Sequence, residues 1–165
     1  MLSIAGRATS KLQELLTLPN GLNASLAAIA QSESVTVPPI SPTSVFTDNV
    51  SSDLAEKSVE PKYTAIYIYC DKIANLLTEK FRSFSGTIEM TIDVRVSQDR
   101  LAGIDQASQL YAAGVTQTLN QNRGDWGQGV FFAGRYEVSF GPVKHGGRNF
   151  IKSAKISVQL DASVG

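Results

Sequence analysis

Cys70 and His145 are the only cysteine and the only histidine among the 165 residues. Nucleophilic catalysis needs an attacking group and a base within reach of each other. Cys70 ends an apolar run over residues 63–70, where a thiol behaves as inert packing. His145 sits in a glycine-rich stretch with no carboxylate nearby in sequence. No zinc-ligand spacing, nucleophile elbow or phosphate-cradling loop occurs. Residues 124–129, Gly-Asp-Trp-Gly-Gln-Gly, are rich in glycine but neither follow a strand pattern nor open a helix pattern, which a nucleotide loop requires. Arg123-Gly124-Asp125 reads as a turn, pinned by Trp126 to the sheet or to a neighbouring subunit. The chemistry expected is that of a non-enzyme with no cofactor and no metal.

One segment is electrostatically distinct. Residues 141–155 hold Lys144, Arg148, Lys152 and Lys155 together with His145, and no acid. Three readings stand for it. It is a solvated hairpin tip, a tip facing phosphates, which needs only cations near a nucleic-acid backbone, or a loop docking on an acidic protein surface.

The elements that position these groups follow from periodicity. Leu12, Leu15 and Leu16 fall at helical spacing until Pro19-Asn20-Gly21 ends the pattern. A second helix carries Leu22, Leu26, Ile29 and Ala30, with Asn20 or Asn23 as its cap. Residues 35–62 contain Pro38, Pro39, Pro42 and Pro61 and no sustained period. They form an irregular arm, either a surface loop or an extension onto a neighbouring copy that covers Val45, Phe46, Val50 and Leu54.

A strand over residues 63–70 places Tyr63, Tyr67 and Tyr69 on one face and Ile66, Ile68 and Cys70 on the other, so it needs cover on both sides. Ile73, Leu76, Leu77 and Lys80 predict a helix within residues 71–84. Over residues 87–97, Ile88, Met90, Ile92, Val94 and Val96 alternate with Thr87, Glu89, Thr91, Asp93 and Arg95, the pattern of a half-buried antiparallel strand. A helix over about 100–120, capped by Ser97 or Asp99, buries Leu101, Ile104, Tyr111, Val115 and Leu119. Two strands follow: Val130, Phe132, Tyr136, Val138 and Phe140, interrupted at Gly134, and then Ala154, Ile156, Val158 and Leu160. Residues 141–149 connect them as a long hairpin loop. The expected fold is a single α+β domain over residues 1–165. It has an antiparallel sheet of about four to five strands with helices packed on one face, and N-terminal helices and an extended arm over residues 1–62.

Bulk composition limits the function classes. The 15 basic and 15 acidic groups cancel, which argues against a dedicated DNA-coating protein. Residues 1–60 carry three basic and six acidic groups, so the N-terminal part leans acidic. Charged residues make up 18%, below the usual quarter, so neighbouring copies repel each other weakly. A lone cysteine suits a reducing compartment or a fold that needs no disulfide. The N-terminus has no secretory-signal pattern, and no apolar run approaches a membrane span, so a soluble chain is expected.

Several runs resemble bacteriophage neck proteins, tail terminators in particular. They are residues 79–86, Glu-Lys-Phe-Arg-Ser-Phe-Ser-Gly, leading into the alternating strand through Gln98; residues 123–126, Arg-Gly-Asp-Trp; residues 134–138, Gly-Arg-Tyr-Glu-Val; and residues 141–150, Gly-Pro-Val-Lys-His-Gly-Gly-Arg-Asn-Phe. The similarity covers about residues 63–162, and residues 1–62 contribute nothing to it. The resemblance implies a structural protein of the virion, assembled in the host cytoplasm. Such proteins form a ring, commonly of about six copies, that ends the tail tube and joins it to the head connector. Its partners would be the tail tube protein and the neck or connector proteins, with non-specific DNA contact in the channel and no membrane. Lys144, His145, Arg148 and Lys152 become candidates for facing the channel or the next ring, and Val45, Phe46, Tyr67 and Trp126 for contacts between subunits. Another connector or completion ring, or a tail-assembly factor, is the alternative. A free nucleic-acid-binding module is a third reading, and an enzyme a fourth.

Overall fold

The computed structural model describes residues 3–50, 64–146 and 149–165. Helix α1 (Ile4–Thr17) opens the chain. Ser3 is its N-cap, its side chain accepting from the Gly6 N–H at 3.0 Å. It ends before Pro19, and α2 (Leu22–Glu33) follows. The α2 N-cap is Gly21, which offers no side-chain bond, so neither Asn20 nor Asn23 caps it. Asn23 instead clamps the chain ahead of it: its amide donates to the Ile40 carbonyl and its side-chain oxygen accepts from the Ile40 N–H, both at 2.8 Å. The Tyr111 hydroxyl likewise donates to the Pro38 carbonyl at 2.8 Å. The part of the arm before residue 47 is therefore tied to its own chain. A 3-10 turn (Pro42–Ser44) leads into the short strand β1 (Val45–Phe46), while Leu54 lies outside the described residues.

Strands β2 (Ala65–Asn75), β3 (Phe84–Gln98) and β8 (Asn149–Val164) are the frame. β3 and β8 pair antiparallel from Phe84–Val164 to Gln98–Phe150 without a register shift, a ladder about 50 Å long. Even-numbered residues of β3 face the helices: Ile88, Met90, Ile92 and Val94 share one core with Ile66 and Ile68 of β2, and with Ala154, Ile156, Val158 and Leu160 of β8. Ala8, Leu12 and Leu16 of α1, Leu22 and Leu26 of α2, and Ile104, Tyr111, Val115 and Leu119 of α3 (Ile104–Gln121) close that core. The alternation predicted for residues 87–97 and the stripe from Ile104 to Leu119 are both present. Leu101 is exposed, however, because α3 starts later, at an N-cap formed by Gly103 rather than Ser97 or Asp99.

Where an antiparallel sheet of four to five strands was expected, the described residues form a mixed sheet of eight. β1 runs parallel to β2, pairing Val45 with Ile66 and Phe46 with Tyr67. The extra strands are short because β8 acts as a template. Along the edge away from β3 it pairs in turn with β5 (Val130–Phe132), β6 (Tyr136–Phe140) and β7 (Lys144–Gly146). Gly134, at φ +101°, breaks what would be one strand into β5 and β6. The predicted turn at residues 120–129 contains strand β4 (Gly124–Gly127), which hairpins onto β5. Part of the predicted loop over 141–149 is strand β7.

The helix expected within residues 71–84 is absent. β2 instead continues through a bulge between Cys70 and Lys72, pairing Ile73 with Ile88 and Asn75 with Gly86. A cross-strand partner is available over the whole length of β3, and its hydrogen bonds outweigh a short amphipathic pattern that is marginal as an isolated helix. Gly86 is needed here, since a Cβ at this position would lie 1.9 Å from the Ala74 carbonyl oxygen. The connecting turn is pinned by Asn75, whose side-chain oxygen accepts from the Ser85 N–H at 3.1 Å, and by Ser85, whose hydroxyl accepts from the Glu79 N–H at 2.9 Å.

Candidate functional site

The second face of the sheet differs from the expectation of a solvated polar surface. Thr91, Asp93 and Arg95 of β3 point to this face and are all buried, Asp93 at 2% exposure and Arg95 at 8%. Cover comes from residues the alternation could not place. Phe46 stacks on Tyr67 with ring centroids 5.0 Å apart, and the Arg95 guanidinium carbon lies 4.1 Å from the centre of the Tyr67 ring. Arg95 Nη2 also donates to the Val50 carbonyl. Thr91 donates to the Asp71 carboxylate.

Beside Asp93 and Arg95 lies a pocket of about 460 Å³. It opens where the chain leaves β6, after Phe140, and before it joins β7. Ser139, Ser153 and Lys155 line it from the neighbouring strands, Lys144 from β7 and Tyr69 from β2. The Tyr69 hydroxyl is pushed above its ordinary range by burial, then by the negative charges of Asp93 and Asp71, against the opposing pull of Arg95 and a hydrogen bond with Thr91. It therefore enters the pocket as a neutral phenol.

The basic segment divides. Lys144 is exposed and lines the pocket with Lys155. The ring of His145, also exposed, packs edge-on to Phe150 with centroids 4.9 Å apart. Arg148 lies outside the described residues. Lys152 projects from the helix face, because β8 alternates and residues 152 and 155 differ in parity. Its side chain is only 13% exposed, and its ammonium pairs with Asp105 in the first turn of α3.

Of the four candidates for subunit contact, two are buried within the chain and two are partly exposed. Val45 and Tyr67 are each 6% exposed, and Phe46 is held by the Tyr67 stack. Half-buried Trp126 donates from Nε1 to the Asn122 carbonyl at 2.7 Å and lies 5.3 Å from the Phe132 ring, which fastens the β4–β5 hairpin to the end of α3. Four exposed apolar groups lie close in sequence, Ile73 near the end of β2 and Leu76, Leu77 and Phe81 in the turn to β3, with Phe81 fully exposed. A helix over residues 71–84 would have placed Ile73, Leu76 and Leu77 on one stripe, whereas the strand and turn leave them in solvent.

Burial raises the Cys70 thiol above its ordinary range; a backbone hydrogen bond at Lys72 opposes this and the Asp71 charge adds to it. At neutral pH it is a protonated, weak nucleophile. Among the described residues no group of three histidine, cysteine or carboxylate side chains converges to hold a metal ion. No helix among them is long and apolar enough to cross a membrane.

The molecule so defined is an α+β protein with a mixed eight-stranded sheet, helices on one face and a polar pocket on the other. No family model and no curated protein matches the chain.

Proposed function

We propose that this chain is a structural subunit of a bacteriophage neck, forming a ring that ends the tail tube and joins the tail to the head connector. The reading rests on the resemblance in residues 63–162 and on one structural observation: four large apolar side chains stand exposed within residues 73–81. A soluble monomer gains nothing by displaying them together, whereas a subunit that buries them against its neighbour gains roughly 1.5–3 kcal/mol for each one fully covered.

Backbone geometry at the same turn supports the reading. Leu77 (φ 50°) and Phe81 (φ 62°) occupy the left-handed region, where glycine or asparagine costs far less. Bulky residues held in that conformation and pointed outward suit a contact surface better than a plain turn. A turn from one subunit resting on a different surface of the next is a heterologous contact, which forms a ring, not a dimer, when its rotation closes. Lys144 and Lys155, both exposed, supply positive charge for a DNA channel or an adjoining ring.

Imaging of assembled particles, with this chain located by a bound antibody fragment or tag, tests the proposal. A ring at the head–tail junction is expected. A chain found in the infected cell but missing from purified particles would move the assignment to an assembly factor, and a chain located elsewhere in the particle would end it.

A further inference from the structure

The first turns of α3 and the extended chain after α2 leave a groove of about 300 Å³ between them. Val35, Val37, Ala107 and Leu110 line it and are half-buried, while Gly103 and Gln106 line it from exposed positions, so the groove is largely apolar and open from outside. Glu33, two residues before Val35, is exposed at its rim and belongs to no ion pair among the described residues.

The β2–β3 turn carries the matching groups. Phe81 is fully exposed and Leu77 is 67% exposed, and a single aromatic ring is of a size that such a groove can take. Arg82 is tied to Glu79 at 3.3 Å, but Lys80, beside Phe81, is exposed and belongs to no ion pair among the described residues. Turn and groove cannot meet within one chain. The turn lies beyond the Phe84–Val164 end of the β3–β8 ladder, and α3 begins beyond its Gln98–Phe150 end, so most of the ladder's roughly 50 Å separates them.

We infer that the groove receives Phe81 from a second copy of this chain, with Lys80 of that copy pairing to Glu33. The inference rests on the proposed ring and names both halves of its contact. Each copy offers one turn and one groove at opposite ends, so the contact is heterologous and passes from copy to copy. Burial of the apolar groups supplies the attraction. The ion pair, worth little by itself, fixes which way the turn enters.

Native mass spectrometry of the full chain over a concentration series tests it. Phe81→Ala, and Gln106→Trp, which narrows the groove from an exposed position, are each expected to weaken association about tenfold or more, with the melting temperature of the separated chain unchanged. Lys80→Glu and Glu33→Lys are each expected to weaken it about fivefold, and the two together to restore it. Assemblies that persist in Phe81→Ala or Gln106→Trp, or single charge reversals that the double variant does not rescue, would overturn this contact and leave the ring itself standing. Rescue in the double variant, alongside particles that carry no ring of this chain, would keep the contact and overturn the neck assignment. Wild-type chains that stay monomeric up to about 1 mM would overturn the contact outright.

Discussion

Arg95 grips Asp93 by one oxygen: Nε and Nη2 both lie 3.1 Å from Oδ2, and Oδ1 is left over. The two residues stand two apart on β3, so they share a face, and both are almost fully buried. A pair held this way is costly to break by halves. Arg95→Met leaves a buried carboxylate without its cation and is expected to cost about 3–5 kcal/mol in denaturant unfolding. The double variant Arg95→Met with Asp93→Leu is expected to recover most of that loss. If the double variant were as unstable as the sum of the two single ones, the residues would not be acting as a pair.

The turn between β2 and β3 offers a trade between folding and assembly. Leu77→Gly and Phe81→Gly each relieve a left-handed conformation and remove an exposed apolar group. Each is expected to change the stability of the isolated chain by less than about 1 kcal/mol, toward stabilisation, because the relief is partly offset by glycine's greater freedom when unfolded. Together they are expected to abolish ring formation as read by native mass spectrometry. Intact rings from the double variant would show that the contact lies elsewhere.

Alkaline pH should weaken the fold through three groups that burial keeps protonated. Burial is the first cause raising Cys70, Tyr69 and Tyr111 above their ordinary values of 9.0, 10.0 and 10.0. The folded state therefore holds these protons more tightly than the unfolded chain. The stabilisation is complete below the unfolded values and is lost as pH rises through the higher folded ones. Unfolding free energy is expected to be flat from pH 7 to about pH 8.5 and to fall beyond it. Tyr111→Phe should make the decline shallower and, through loss of the bond to the Pro38 carbonyl, lower the plateau by about 1 kcal/mol. An unchanged slope in that variant would refute the assignment.

The basic residues divide between the two faces of the sheet. Lys152 is neutralised by Asp105, whereas Lys144 and Lys155 are exposed. On the proposed ring assignment, Lys144→Gln is expected to lower the salt dependence of DNA binding by about one ion per subunit in contact. Lys152→Gln is expected to leave it unchanged and to cost at most about 1 kcal/mol in stability. Equal effects from both, measured by DNA binding across a salt series, would contradict this placement.

What local chemistry dictates was legible in the sequence. Apolar residues at Leu12, Leu15 and Leu16, or from Ile104 to Leu119, repeat at a period only a helix presents on one side. The alternation from Ile88 to Val96 fits only a strand with one face in a core. The thiol in an apolar strand and the solitary histidine were equally plain. Partnership over long sequence distances was not. Ile73, Leu76, Leu77 and Lys80 fall at helical spacing, yet residues 71–75 are strand because the far half of β3 offers them a ladder. Asp93 and Arg95 occupy the polar half of the alternation, and among the described residues the stack of Phe46 on Tyr67, the Val50 carbonyl and the turn after β6 enclose them. The sequence by itself determined which surfaces of each element are apolar, since side-chain direction follows from backbone period alone. Only the tertiary structure decided which polar groups lose their water and which apolar ones keep it, because that depends on segments far apart in the chain arriving at the same place.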